Sequence, residues 1–383
     1  MNSSTGPLIN CCVFVQYCTG NQIPALTLSD LRPLKANAPA STLADEGATF
    51  YWHLKAIQIF TSWAACRLNQ SSDIPSSDAI LPGWTYLTNF SLSEPSLSSE
   101  PFPLVAAFMQ GRHLLILARG TGSAPEWNID FMSGYASAPA ASNISNYSSC
   151  RTSLGDDVNF PGHTHAGFTL IALQVWEDVL LPLLKGLLSQ NALEGITVSG
   201  YSLGAALSTL LSFMAQELVD QMSTVGDKVH ISAVLIAPPN VGDHSFVASF
   251  NRKVNARRVP FLYDVIPQLP CAPENIACPN TPVDTTLNGT VHTWQYTPVG
   301  GTVIITALDM PAQAYAWHRF SRLNLCHIAL DVVAVHTCSY SCAFSKFVAA
   351  FSGDSCLLDS VHEDTSTPGS FCEGFPVAND SYV

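Results

Sequence analysis

Apolar positions recur every three to four residues from Ser41 to Arg67, behind a Ser/Thr–Asp/Glu start at Ser41, Thr42, Asp45 and Glu46, and this spacing predicts a helix. A Ser-, Pro- and Asp-rich connection follows over Gln70–Glu100, broken by one short strand, Trp84–Phe90. The pattern then tightens. Leu104–Met109 and His113–Ala118 are apolar runs turned by Gln110–Gly111, which predicts a strand pair. Asn128–Gly162 is a long polar loop, and Phe168–Gln190 carries an apolar helical face that Pro182 should kink or end. Gly195–Ser199 reads as a short buried strand and Leu203–Met222 as a helix, followed by strands at Val229–Ala237, Arg257–Leu262 and Gly301–Leu308. Strands alternating with helices imply a parallel α/β sheet. Residues 1–40 read as a leader or packed arm, 41–352 as the α/β domain and 353–383 as a polar C-terminal tail.

Composition narrows what such a sheet can serve. Charged residues are 12% of the chain, against about 25% in an average soluble protein. The balance is 16 Lys+Arg to 29 Asp+Glu, a net charge of −13. A nucleic-acid binder neutralises phosphates with a basic footprint, so this balance excludes that class. Sparse charge beside 47% apolar residues raises the question of a membrane span. No run of 18 or more residues is free of polar and charged breaks, so no transmembrane segment is expected.

Twelve cysteines are scattered along the chain, and seven Asn-x-Ser/Thr sequons start at Asn2, Asn69, Asn89, Asn143, Asn146, Asn288 and Asn379. Both features favour a secreted or secretory-lumen protein, with disulfide bonds and glycans, over a cytoplasmic one. The N-terminus does not read as a signal peptide, because Met1–Pro7 lacks Lys and Arg and Asn10 and Gln16 interrupt Leu8–Cys18. Cys271/Cys278 and Cys356/Cys372 span short loops that disulfides could close, and free thiols are the alternative.

Gly200-Tyr201-Ser202-Leu203-Gly204 fits Gly-x-Ser-x-Gly between a β-branched strand and a helix, the setting a nucleophile elbow requires. Such a turn strains its serine, excludes bulk at both flanking positions, and aims a helix N-terminus at developing negative charge. His163-Thr164-His165 and Cys338/Cys342 supply no complete metal-ligand set, and no glycine-rich phosphate loop is present, so neither metal nor cofactor is expected.

Together with three further stretches, that elbow resembles the class 3, fungal-type lipases. One stretch is Leu117-Ala118-Arg119-Gly120-Thr121. A second is Glu126-Trp127-Asn128-Ile129-Asp130, followed by His165-Ala166-Gly167-Phe168. A third is Ala237-Pro238-Pro239-Asn240-Val241-Gly242-Asp243, continuing through Arg258-Val259-Pro260 to Asp264-Val265-Ile266-Pro267. Within the elbow, Tyr201 and Ala205 depart from the family's commonest form, which has His and Gly there. The resemblance implies an α/β-hydrolase fold, a mostly parallel central sheet flanked by helices with a short lid over the active site.

It also implies a triad in the chain order Ser, Asp, His. Ser202 would be the nucleophile and Asp264, past the strand RVPFLY, the acid. Asp243 is the rival acid but reads as a helix cap. The base is His336 or His327; the tyrosine that follows the family's catalytic histidine has a match in Tyr340 after His336. Backbone N–H groups of Leu203 and Thr121 would form the oxyanion hole, with the Thr121 hydroxyl assisting. Gly122–Phe131 corresponds to the lid, where Trp127 would meet lipid or serve as a buried anchor. The implied activity is hydrolysis of lipid esters at a lipid–water interface, with acylglycerols as substrates. Phospholipase A1 or small-ester esterase activity shares every residue named, and a non-catalytic lipase-like scaffold is the alternative of another class.

Overall fold

The computed structural model describes residues 43–68, 80–92, 102–122, 130, 135–136, 160–222, 229–262, 264–270, 285–287, 290–292, 296–306, 336, 340 and 343–344. Its strands are β1 (Thr85–Leu92), β2 (Phe102–Gln110), β3 (His113–Ala118), β4 (Tyr135–Ala136), β5 (Thr164–His165), β6 (Gly195–Tyr201), β7 (His230–Ile236), β8 (Asn255–Val259), β9 (Thr285–Leu287), β10 (Thr290–His292) and β11 (Gly301–Thr302). Seven of these form one sheet in the order β1-β2-β3-β6-β7-β8-β11. The β1–β2 and β2–β3 pairings are antiparallel, and those from β3 to β11 are parallel. The helices are α1 (Leu43–Leu68), α2 (Ala166–Val175), α3 (Leu181–Ser189), α4 (Leu203–Met222) and α5 (His244–Lys253).

Side chains alternate faces along a strand, so each central strand feeds two cores. Leu114, Ile116 and Ala118 of β3 join Ile196, Val198, Ala233 and Leu235 in the larger core, packed with α2 and α4. Leu115 and Leu117 point the other way, onto Ile57, Phe60 and Trp63 of α1. Further along the same face, Val234, Ile236 and Val259 meet Phe50 and Leu54 of α1. An ion pair between Glu46 and Arg257, 3.2 Å, ties α1 to β8. This is the mostly parallel, helix-flanked α/β sheet that the strand–helix alternation predicts.

The differences from the expected elements have local causes. The helix expected from Phe168 starts at Ala166, because His165 caps it by accepting from the Phe168 N–H. It then loosens into a π-helical turn, Trp176–Leu180, and Pro182 sits in the first turn of α3, where a missing N–H costs nothing. Ala166–Ser189 is long and apolar enough to cross a membrane by length and composition, but 61% of that stretch is buried in the molecule. Phe168, Ile171 and Val175 pack into the larger core, so its apolarity serves the interior. The strand expected over Arg257–Leu262 ends at Val259, yet Leu262 N–H still reaches the Ile305 carbonyl at 2.9 Å. Residues 1–40, the tail 353–383 and all twelve cysteine side chains lie outside the described residues.

Candidate active site

Strand β6 runs straight into α4 through Ser202, which sits at φ +56°. That left-handed backbone is strained for a serine. Gly200 and Gly204 make the turn possible. A Cβ on Gly200 would collide with the Gly204 carbonyl, and one on Gly204 would collide with the carbonyls of Ala118 and Arg119. The elbow is therefore locked against the end of β3, and Ser202 projects at the C-terminal edge of the sheet.

Asp264 follows β8 at the same edge, and its side chain is fully buried. Oδ2 accepts from His336 Nδ1 and from the Tyr340 hydroxyl, both at 2.7 Å, while Oδ1 accepts from Ile266 N–H at 3.0 Å. A carboxylate can only accept, so Nδ1 carries the imidazole proton and leaves Nε2 as acceptor. Nε2 stands 2.7 Å from Ser202 Oγ. One hydrogen-bonded run therefore links Asp264, His336 and Ser202. Tyr340 also accepts from Phe261 N–H at 2.9 Å, which fixes the phenol from both sides. Burial, and then the Asp264 charge, push that phenol well above its ordinary range, so it remains a donor. Arg258 bonds the Pro267 carbonyl at 2.5 Å and pins the turn carrying Asp264. Burial lowers its guanidinium to about 10, which leaves it a cation at neutral pH.

Opposite the elbow lies the end of β3. The buried Arg119 donates to Pro103 and Gly120 carbonyls at 2.6 and 2.7 Å and lies 3.6 Å over the Phe102 ring. Gly120 passes close to Ser202; a Cβ there would stand 3.3 Å from the serine Cβ. Thr121 comes next, and its hydroxyl bonds Asp130 Oδ2 at 2.7 Å. The hydroxyl has one proton and a carboxylate cannot donate, so that proton goes to Asp130. The donor left to Thr121 for an oxyanion is its backbone N–H. Leu203 opens α4, so its N–H is among those with no acceptor inside the helix.

Asp243 caps α5 by accepting from Phe246 N–H at 2.9 Å, and it also holds His163, 3.0 Å away. His165 is buried beneath Phe168, with burial holding its imidazole down at about 3. The two histidines of His163-Thr164-His165 thus have separate partners. Trp127, His327 and the lid residues 123–129 lie outside the described residues. Three contributions escape a motif search: the Tyr340 bond to Asp264, the Asp130 hold on Thr121, and the Arg258 clamp. All three residues fall in stretches the sequence singled out, Tyr340 by its spacing after His336, but the bonds they make are not written in those stretches.

Residues 115–274 match the family model for lipase (class 3). Two curated relatives, the Phospholipase A1-II 5 proteins of Oryza sativa subsp. japonica and of Oryza sativa subsp. indica, are each 34% identical over 99 residues. Each match covers 24% of this chain and 21% of the relative, so the chain spans about a fifth of their length. Among solved structures, the lipase from Rhizopus microsporus var. chinensis aligns with TM-score 0.40 and 18% identity, over 66% of this chain and 78% of that one. Lipase II from Rhizopus niveus aligns with TM-score 0.40 and 17% identity, over 60% and 77%.

Proposed function

From the match of residues 115–274 to the class 3 lipase family model, we propose that this chain is a serine carboxylic-ester hydrolase acting on lipid esters, acylglycerols above all. The observation that carries this reading is the continuous hydrogen-bonded run from buried Asp264 through His336 to Ser202. His336 Nε2 takes the Ser202 proton as Oγ attacks the ester carbonyl, and Asp264 stabilises the imidazolium. The N–H groups of Leu203 and Thr121 receive the tetrahedral oxyanion. Collapse breaks the bond to the alcohol oxygen, which leaves with the proton from Nε2. Water, deprotonated by the same nitrogen, then releases the acid and restores Ser202.

The net charge of −13 disfavours anionic lipid surfaces and makes neutral glycerolipids the better substrates. Phospholipase A1 activity is the second reading, favoured by the 34% identity to the rice proteins of that name. Hydrolysis of a panel of tri-, di- and monoacylglycerols, phospholipids and short p-nitrophenyl esters separates the two. Faster turnover of zwitterionic phospholipid than of any acylglycerol overturns the first choice. A fluorophosphonate that fails to label Ser202 overturns both and leaves a non-catalytic scaffold.

A further inference from the structure

Two hydrogen bonds hold the His336 ring, one at Nδ1 and one at Nε2. Two such points define an axis and leave the ring free to roll about it. They also leave its backbone to be anchored by something else, since His336 stands 134 residues from Ser202 in the chain. Among the described residues, Tyr201 supplies a restraint of each kind. Its hydroxyl donates to the His336 backbone carbonyl. Its ring lies against the imidazole, 5.1 Å between centroids at 31°, and meets Tyr340 edge-on at 6.0 Å. Gly120 leaves the space this requires, because a Cβ there would stand 3.1 Å from Tyr201 Cδ1. This position also separates the chain from the commonest family form, which has histidine here.

We propose that Tyr201 is a positioning residue for His336, anchoring its backbone through the hydroxyl and fixing the roll of the imidazole with the ring face. This inference rests on the reading of Ser202, His336 and Asp264 as an ester-hydrolysing triad. Among the described residues, the other polar and ionisable groups around His336 are Asp264, Ser202 and Tyr340, with Arg258 behind Asp264.

The test uses the full chain with a soluble p-nitrophenyl ester, together with fluorophosphonate labelling of Ser202. Tyr201→Phe keeps the ring and loses the bond; kcat falls roughly three- to tenfold, with KM within about twofold. Tyr201→Leu loses both; kcat falls further, again with KM within about twofold. A Tyr201→Phe kcat equal to wild type overturns the inference, as does a Tyr201→Leu protein whose loss lies wholly in KM. If Tyr201→Leu does not fold, the kcat of Tyr201→Phe decides alone. Wild-type protein that escapes fluorophosphonate labelling refutes the triad reading and this inference with it. Labelled wild type with unaltered variants refutes this inference only.

Discussion

Two buried imidazoles, one near each end of the parallel strands, each touch a hydroxyl, and only one has a carboxylate behind it. At the C-terminal edge His336 meets Ser202 and Asp264, each at 2.7 Å. At the N-terminal edge His113 opens β3 and meets Thr197 Oγ1 at 2.8 Å, which in turn meets Ser232 Oγ at 3.1 Å. Trp84 lies edge-on to His113, and burial pulls that imidazole down to about 4. His113 is therefore neutral at neutral pH, and among the described residues no counter-charge stands beside it to stabilise a proton taken from Thr197. The backbones differ as well: Thr197 lies inside a regular strand, whereas Ser202 is held at φ +56° on a turn that presents it outward. A hydroxyl beside an imidazole is thus a common packing solution. The buried carboxylate and the strained turn set the other pair apart.

The sharpest way to break the comparison is to remove each hydroxyl. Ser202→Ala should lower ester turnover by at least about 10⁴-fold with thermal unfolding nearly unchanged, whereas Thr197→Val should leave turnover within about twofold. Equal losses in the two would erase the distinction. Asp264→Asn comes next. It should reduce kcat by roughly 10³- to 10⁴-fold, because the amide can hold the wrong tautomer of His336. Steady-state kinetics on a short ester reads this directly, and a loss under about tenfold would mean the carboxylate is structural.

A smaller effect concerns stability and pH. Burial lowers His113 to about 4 and His165 to about 3, both below the ordinary value near 6.5. Below that ordinary value the unfolded chain binds protons that the folded chain refuses, so stability falls as pH falls. The loss is about 1.4 kcal/mol per pH unit for each imidazole, until the folded group itself titrates. Urea midpoints measured between pH 7 and 4 should therefore fall in wild type and fall less steeply in His113→Gln. Thr197→Val should cost about 1–3 kcal/mol of stability, because it removes the buried hydrogen bonds to His113 and Ser232 at constant shape. A guanidinium titration at pH 7 checks it.

The sequence points to Ser202 and Asp264 as candidates through local pattern: a strand–turn–helix with paired glycines, and an acid just past a strand end. It offered His336 and His327 as candidate bases, with the Tyr340 spacing on the side of His336, because a base is brought in by long-range packing. Here Asp264, Tyr340 and Tyr201 meet His336, and no short motif contains all four. The same reason hid the Asp130 bond to Thr121. Helix α4 was legible to the residue, because the turn starts it abruptly. Pro182 signalled an interruption of the helix that follows Ala166, but not its form, a π-helical turn at Trp176–Leu180. The strand expected over Gly301–Leu308 is regular only at Gly301–Thr302, although Val303 and Ile305 N–H groups still reach the Arg258 and Pro260 carbonyls.

The 134-residue separation of Ser202 and His336 has a consequence for the chain as it is made. Translation at about 5–20 residues per second puts roughly 7 to 27 seconds between the appearance of the serine and that of its partner. Through that interval the sheet from β3 to β8 can assemble around a hydroxyl with no base beside it. Tyr340, which bonds both Asp264 and the Phe261 N–H, is made four residues later still. On the proposed reading, the hydrogen-bonded run through Ser202, His336 and Asp264 is therefore completed only when this late segment docks.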